Sequence, residues 1–199
     1  MSYSKFKLED IESKLGLNIK ESQNIFSQVE EEEISLTLQQ VLDYNLPLAL
    51  EIATEKARSE MILTPILIEL KKLFDSQISL FSGREFNVDP EKDLIGFCDF
   101  LISQSASQLI IKAPVAVVVE AKNDNIQSGL GQCIAEMYAA QIFNQRNNNN
   151  IPVVYGSVTT GTNWKFMSLV GTTVELDVAE YFISNLSQIL GILKSFIVL

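Results

Sequence analysis

The sequence predicts an α/β fold of the α+β type, with a central mixed β-sheet flanked by helices. Three observations predict it. The run Val115-Ala116-Val117-Val118-Val119 is apolar, β-branched and too short for most helices, so it reads as a buried strand. Shorter stretches of strand character lie on both sides of it, and segments with apolar residues at helical spacing come before, between and after them.

The 199 residues, 47% of them hydrophobic, suit a single domain spanning 1–199. Within it, 1–50 is expected to be an N-terminal helical elaboration, 51–170 the core, and 171–199 a C-terminal strand and helix. Residues 1–33 are polar and end in Val29-Glu30-Glu31-Glu32-Glu33, a run read as a solvated cap or loop. From Ser35 to Phe74 the pattern is helical, with a break expected near Asn45-Leu46-Pro47. Leu48, Ile52, Ala53, Lys56, Glu60 and Leu63 share a helical spacing that places Glu60 close to the apolar stripe. Pro65 is expected to kink this helix or start the next, whose buried stripe is Ile66, Leu67, Leu70 and Leu73.

At Ile78 the period changes. Ile78–Ser82 and Arg84–Val88 read as one long or bulged strand, Asp89–Asp93 as a turn, and Leu94–Ile102 as a second strand, giving an antiparallel hairpin. Asp99 interrupts that otherwise apolar second strand. The valine strand follows the polar loop Ser103–Gln108 and ends in Glu120-Ala121-Lys122, where alternation puts Glu120 and Lys122 on one face. Asn123-Asp124-Asn125 can cap a helix carrying Ile126, Leu130, Cys133, Ile134, Met137, Tyr138 and Ile142, which stops before Asn147-Asn148-Asn149-Asn150. Gly129-Leu130-Gly131 within it is read as close helix packing.

A second hairpin, Val153–Thr159 with Trp164–Leu169, precedes a short strand over Thr173–Val178. Trp164 and Tyr155 are read as core. Phe182, Leu186, Ile189, Leu193, Phe196 and Ile197 form a last stripe, expected to pack on the sheet, with a dimer face or membrane contact as alternatives.

Composition narrows the chemistry. Histidine is absent, which removes Ser-His-Asp and Cys-His catalysis and histidine-ligated metals. Cys98 and Cys133 sit in apolar surroundings and are read as buried thiols of a reducing compartment. The net charge of −10 is concentrated in residues 1–99, which hold 10 basic and 19 acidic side chains against 5 and 6 in the remainder. Such a balance opposes coating of duplex DNA by charge alone, although metal ions can offset carboxylates locally. No stretch offers about 18 uninterrupted apolar residues, and Met1-Ser2-Tyr3-Ser4-Lys5 lacks the apolar core of a signal peptide. The expectation is a cytoplasmic protein without a membrane partner.

The tripeptide Glu-x-Lys occurs three times, at Glu12, Glu69 and Glu120, but only the last closes a buried strand with another strand acid upstream. The order is a helix with Glu60, antiparallel strands with Asp99, a strand with Glu120 and Lys122, and a helix with Gln132. Over about Ala53 to Leu169 this resembles the PD-(D/E)XK phosphodiesterase superfamily, the restriction-endonuclease-like fold with an αβββαβ core. The resemblance implies that Asp99 is the first acid, Glu120 the second and Lys122 the lysine, with Glu60 the helical acid and Gln132 the polar residue of the following helix. Cys98 stands where the family often has proline.

On that resemblance, Asp99, Glu120, Glu60 and the Ala121 carbonyl are expected metal ligands, and Mg²⁺, with Mn²⁺ as an alternative, the expected cofactor. A hard cation suits such oxygen donors, and phosphodiester attack needs its charge neutralised. Lys122 would orient water or stabilise developing charge. The expected activity is metal-dependent hydrolysis of nucleic acid, most simply DNA. A catalytically inactive binding or assembly module of the same fold is the alternative, and a homodimer is compatible with either.

Overall fold

The computed structural model describes residues 2–149 and 151–197. Met1, Asn150, Val198 and Leu199, on which the N-terminal, polyasparagine and C-terminal expectations partly fall, lie outside the described residues. A 3-10 turn at Tyr3–Lys5 leads into α1 (Asp10–Leu15) and β1 (Asn18–Ser22). Next come α2 (Leu36–Ile52), α3 (Glu55–Arg58), a π-helical turn at Ser59–Leu63, and α4 (Thr64–Phe74). The chain continues through β2 (Ser79–Glu85), β3 (Phe97–Ser103), β4 (Val115–Ala121) and α5 (Ile126–Arg146). It finishes with β5 (Val154–Thr159), β6 (Asn163–Val170), β7 (Thr173–Asp177), β8 (Tyr181–Phe182) and α6 (Leu186–Ser195).

These strands form one mixed sheet in the order β1-β7-β6-β5-β4-β3-β2, with β8 also paired to β6. β1 runs parallel to β7 and β4 parallel to β5, while the hairpin partners are antiparallel. The mixed sheet flanked by helices is therefore as expected. The first fifty residues are not purely helical, because Asn18–Ser22 forms an edge strand. Its composition hid it: only Ile19 is apolar, and an edge position needs no alternating apolar face.

Two apolar layers sandwich the sheet. On one side α1 and α5 bury Ile11, Leu130, Ile134 and Met137 against Leu101, Val118 and Val158. On the other, α2, α4 and α6 bury Leu42, Ile66, Leu70 and Ile189 against Phe100, Val117, Val119 and Phe166. Both cysteines are buried free thiols, and Trp164 is core, as read from the sequence. Tyr155 is half-buried and stacks on Phe196 at 4.2 Å between ring centroids.

The helical segment departs from expectation in an instructive way. α2 continues through Pro47, held on both sides of the proline by Leu42 and Ala49 in the core. The break comes instead at Ala53, which takes a left-handed φ of 54° and closes the helix through its N–H to Ala49 O. Thr54 then caps α3 by accepting the Ala57 N–H at 3.1 Å. The stripe drawn from Leu48 to Leu63 thus spans two helices, and Leu48, Ile52 and Glu60 are exposed. Leu73 and Phe182, read as buried, are exposed as well. Pro65 sits in the first turn of α4, where its missing donor costs nothing.

α5 is fixed over β4 at its far end by Asn144. Its amide accepts the Val115 N–H at 2.7 Å and donates to Val115 O at 2.8 Å. Near the other end, the helix passes the N-terminal segment so closely that a Cβ on Gly131 would lie 2.3 Å from the Lys7 carbonyl carbon. Backbone cannot swing aside as a side chain can, so Gly131→Ala is expected to lower stability by about 1–3 kcal/mol. Urea unfolding checks this, and a cost under about 0.5 kcal/mol would mean that the contact is soft.

The far end of β7 carries a second anchor. Asp177, fully buried, accepts the N–H groups of Asn24, Ile25 and Ala179 and the Tyr181 hydroxyl at 2.9–3.0 Å. At the β2 edge, the Gln108 amide donates to Leu80 O at 2.5 Å and accepts the Leu80 N–H at 3.3 Å. Among the described residues no helix is long and apolar enough to cross a membrane.

Candidate functional site

Every residue of β4 is buried, which follows from its Val-Ala-Val-Val-Val-Glu-Ala sequence lying between two helical layers. Its pairing with β3 runs as far as Phe100↔Val119 and stops, whereas its pairing with β5 continues to Ala121↔Thr159. β2 and β3 keep one register on either side of Gly83, whose φ is +59°, yet Cys98 and Phe100 pack in opposite layers, so Asp99 lies where β3 changes face. The Ala121 N–H, with no β3 carbonyl to meet, is taken by Asp99 Oδ2 at 2.8 Å. Asp99 therefore explains itself structurally, as a side chain standing in for a missing rung of the ladder.

Glu120 and Lys122 project on the α5 side. Glu120 is only 1% exposed, and its Oε1 accepts from Lys122 Nζ. Lys122 keeps 18% of its side chain exposed and also donates to Gln132 Oε1 at 3.4 Å. Gln132 Nε2 in turn donates to Glu136 Oε1 at 3.0 Å. Glu136 is fully buried, and Oε2 of both Glu120 and Glu136 is buried without a hydrogen-bond partner. A connected polar row thus runs from β4 into the body of α5.

Burial is the main cause that pushes the Glu120 carboxyl up to about 8, with the Asp99 charge adding to it and Lys122 opposing. Burial also works against the Lys122 ammonium, but the charges of Glu120, Glu55 and Asp99 outweigh this and raise it. Glu136 is raised well above the carboxylate range by burial and then by Glu120. For Glu120 the folded state binds a proton that the unfolded chain has released, between the ordinary pKa of 4.5 and about 8. That contribution to stability is complete below 4.5 and is lost as pH rises through about 8. Metal-free protein is accordingly expected to melt at a lower temperature at pH 8.5 than at pH 5.5, with a flatter profile in Glu120→Gln. A melting temperature that climbs across this range would contradict the upward shift of the Glu120 carboxyl.

Asp99 also lines a cavity of about 260 Å³ together with Glu55, Lys56, Ser59, Glu60, Thr64, Ser82, Gly83 and Ala121. The structure therefore brings Asp99 and Ala121 to this cavity, while Glu120, Lys122 and Gln132 form the polar row on the α5 side, which Asp99 reaches through its charge and not through a hydrogen bond. Glu60 shares the cavity with Asp99 but stands 59% exposed, paired to Lys56 at 2.6 Å. Glu55, one turn earlier, is the helical acid whose charge raises both Glu120 and Lys122.

Sequence reasoning missed Glu55 and Glu136. Glu55 follows the Thr54 cap, and acids in a first helical turn are unremarkable. Glu136 sits four residues after Gln132, on the same helix face, and that spacing was the available signal.

The residues present fit a hard divalent cation in kind. Two strand carboxylates and a carbonyl are all-oxygen donors, and the orphaned Glu120 Oε2 is an acceptor that burial leaves wanting a partner. Among the described residues, no group of three or more His, Cys, Asp or Glu side chains is arranged to hold a metal, so waters would have to complete such a shell. Comparison with family models, curated proteins and solved structures finds no match to this chain.

Proposed function

We propose that the chain is a metal-dependent phosphodiesterase acting on nucleic acid, built on a PD-(D/E)XK-like core. The observation that carries this reading is the arrangement at the end of β4, where Lys122 pairs with Glu120 and Asp99 accepts the Ala121 N–H at the point at which β3 and β4 part. The succession of α4, β2, β3, β4, α5 and β5 supports the same core, with β4 parallel to β5 and antiparallel to β3.

Asp99 and Glu120 would hold the cation with the Ala121 carbonyl, and Glu55 or Glu60 lies across the cavity from Asp99. When bound, a divalent cation supplies charge neutralisation at the phosphate and a more acidic water. Lys122 contributes a fixed positive charge, held by Glu120 and Gln132, that can orient the attacking water or oppose negative charge growing on the phosphoryl oxygens. The partly exposed ammonium is the member of the pair that can reach a ligand.

The test is cleavage of single-stranded, duplex and branched DNA and RNA with Mg²⁺ or Mn²⁺ against a chelator control. Cleavage that requires the metal supports the reading, and its absence across all substrates counts against it. A non-catalytic binding or assembly module is the second reading. It is favoured by the burial of Glu120, whose carboxyl is already satisfied at Oε1 by Lys122.

A further inference from the structure

Glu136 is an expensive residue for the fold to keep. It is fully buried in the apolar layer of α5, among Cys133, Ile134 and Met137, and Oε2 has no hydrogen-bond partner. A carboxyl group half-satisfied in such a place lowers stability, and an apolar side chain of similar volume would pack without that penalty. Its one hydrogen bond, from Gln132 Nε2 at 3.0 Å, leads toward the cluster at the end of β4.

The chemistry of the row fixes its polarity. Lys122 can only donate, so the Gln132 atom facing it must be the carbonyl oxygen, and the amide nitrogen must then find an acceptor on the far side. Glu136 Oε1 is that acceptor. With an apolar residue in its place, the amide nitrogen would lose its partner and the side chain would be free to rotate. Lys122 would then keep only Glu120 as its hydrogen-bonded anchor.

We propose that Glu136 is a positioning residue, which locks the Gln132 amide so that its carbonyl oxygen faces Lys122 Nζ. The catalytic consequence rests on the phosphodiesterase reading, but the locking itself does not. A supporting group of this kind typically changes activity about 10- to 100-fold when removed.

The experiment compares Glu136→Met and Glu136→Gln with the wild-type chain in three measurements: melting temperature, kcat and KM for metal-dependent cleavage, and solvent exchange of the Gln132 side-chain NH₂. The last is followed by ¹⁵N-edited NMR, with the resonances assigned through their loss in Gln132→Met. Glu136→Met is expected to melt at or above the wild-type temperature, to lose about 10- to 100-fold in kcat with KM little changed, and to lose protection of the Gln132 amide. Glu136→Gln, which can present its own carbonyl oxygen to Gln132, is expected to recover most of the rate and the protection. A residue needed only for folding would lower the melting temperature and leave the amide and kcat of the folded fraction unaltered, and that result overturns the proposal. So does unchanged amide protection in Glu136→Met. Should the wild-type chain cleave nothing, the phosphodiesterase reading falls, while the NMR arm still decides whether Glu136 holds Gln132.

Discussion

Lys122→Ala is expected to cut metal-dependent cleavage by about 10²- to 10³-fold while leaving the chain folded, the scale seen when one preorganised group is removed from a transition state. The reasoning begins with its surroundings. The lysine stem packs over Gly129, where a Cβ would come within 3.0 Å of Lys122 Cε, and the head is held by Glu120 and Gln132. Removing it takes one partner from Glu120, but that carboxyl, already pushed up to about 8, can stay protonated at neutral pH. The cost to stability should then be about 1–2 kcal/mol, the desolvation price of an unmade hydrogen bond. Single-turnover rates at saturating Mg²⁺, paired with thermal melts, separate chemistry from folding. Wild-type rates in a folded Lys122→Ala would remove Lys122 from the mechanism.

Asp177→Ala is expected to have the largest effect on stability. Four donors converge on this buried carboxylate, and the alanine leaves the Asn24, Ile25 and Ala179 N–H groups and the Tyr181 hydroxyl without it. Hydrogen bonds to charged groups are each worth about 1.5–3 kcal/mol. Allowing for water reaching some of the freed donors, the net loss should be about 3–5 kcal/mol, or about 10 °C in Tm for a chain of this length. Asp177→Asn keeps one accepting oxygen and should fall between. Because two of the donors follow β1 directly, early hydrogen exchange in β1 should accompany the loss. A change below about 1 kcal/mol would show that the network is redundant.

The sequence made the centre of this protein legible because burial and charge conflict there. Five apolar residues ending in Glu120 and Lys122 have few ways to fold, and a strand whose last side chains turn toward the next helix satisfies both demands. Asp99 is conspicuous as an acid inside an apolar strand, and the run Asn123-Asp124-Asn125 before an apolar stripe is readable as a cap, which Asn125 makes by accepting the Gln127 N–H. What stayed hidden obeys other rules. β1 is specified by its partner β7 and by the Asp177 clamp, neither of which is local in sequence. Pro47 misled because tertiary packing on both sides of it outweighs the intrinsic penalty of about 3 kcal/mol. Glu60 drew notice through a periodicity that ignores the left-handed turn at Ala53, and that turn separates it from α2. Glu136 is hidden in the sequence because the apolar residues around it describe a core helix completely.

The Gln108 amide at the β2 margin has a consequence for how molecules of this protein meet. By filling both the donor and the acceptor position of Leu80, it mimics one residue of a neighbouring strand and occupies the rung at the N-terminal end of β2 that an incoming chain would need. Strand addition there must first evict Gln108, so self-association by sheet extension and fibril-like stacking are disfavoured on that margin. Crowded, newly made chains would then be steered away from joining edge to edge.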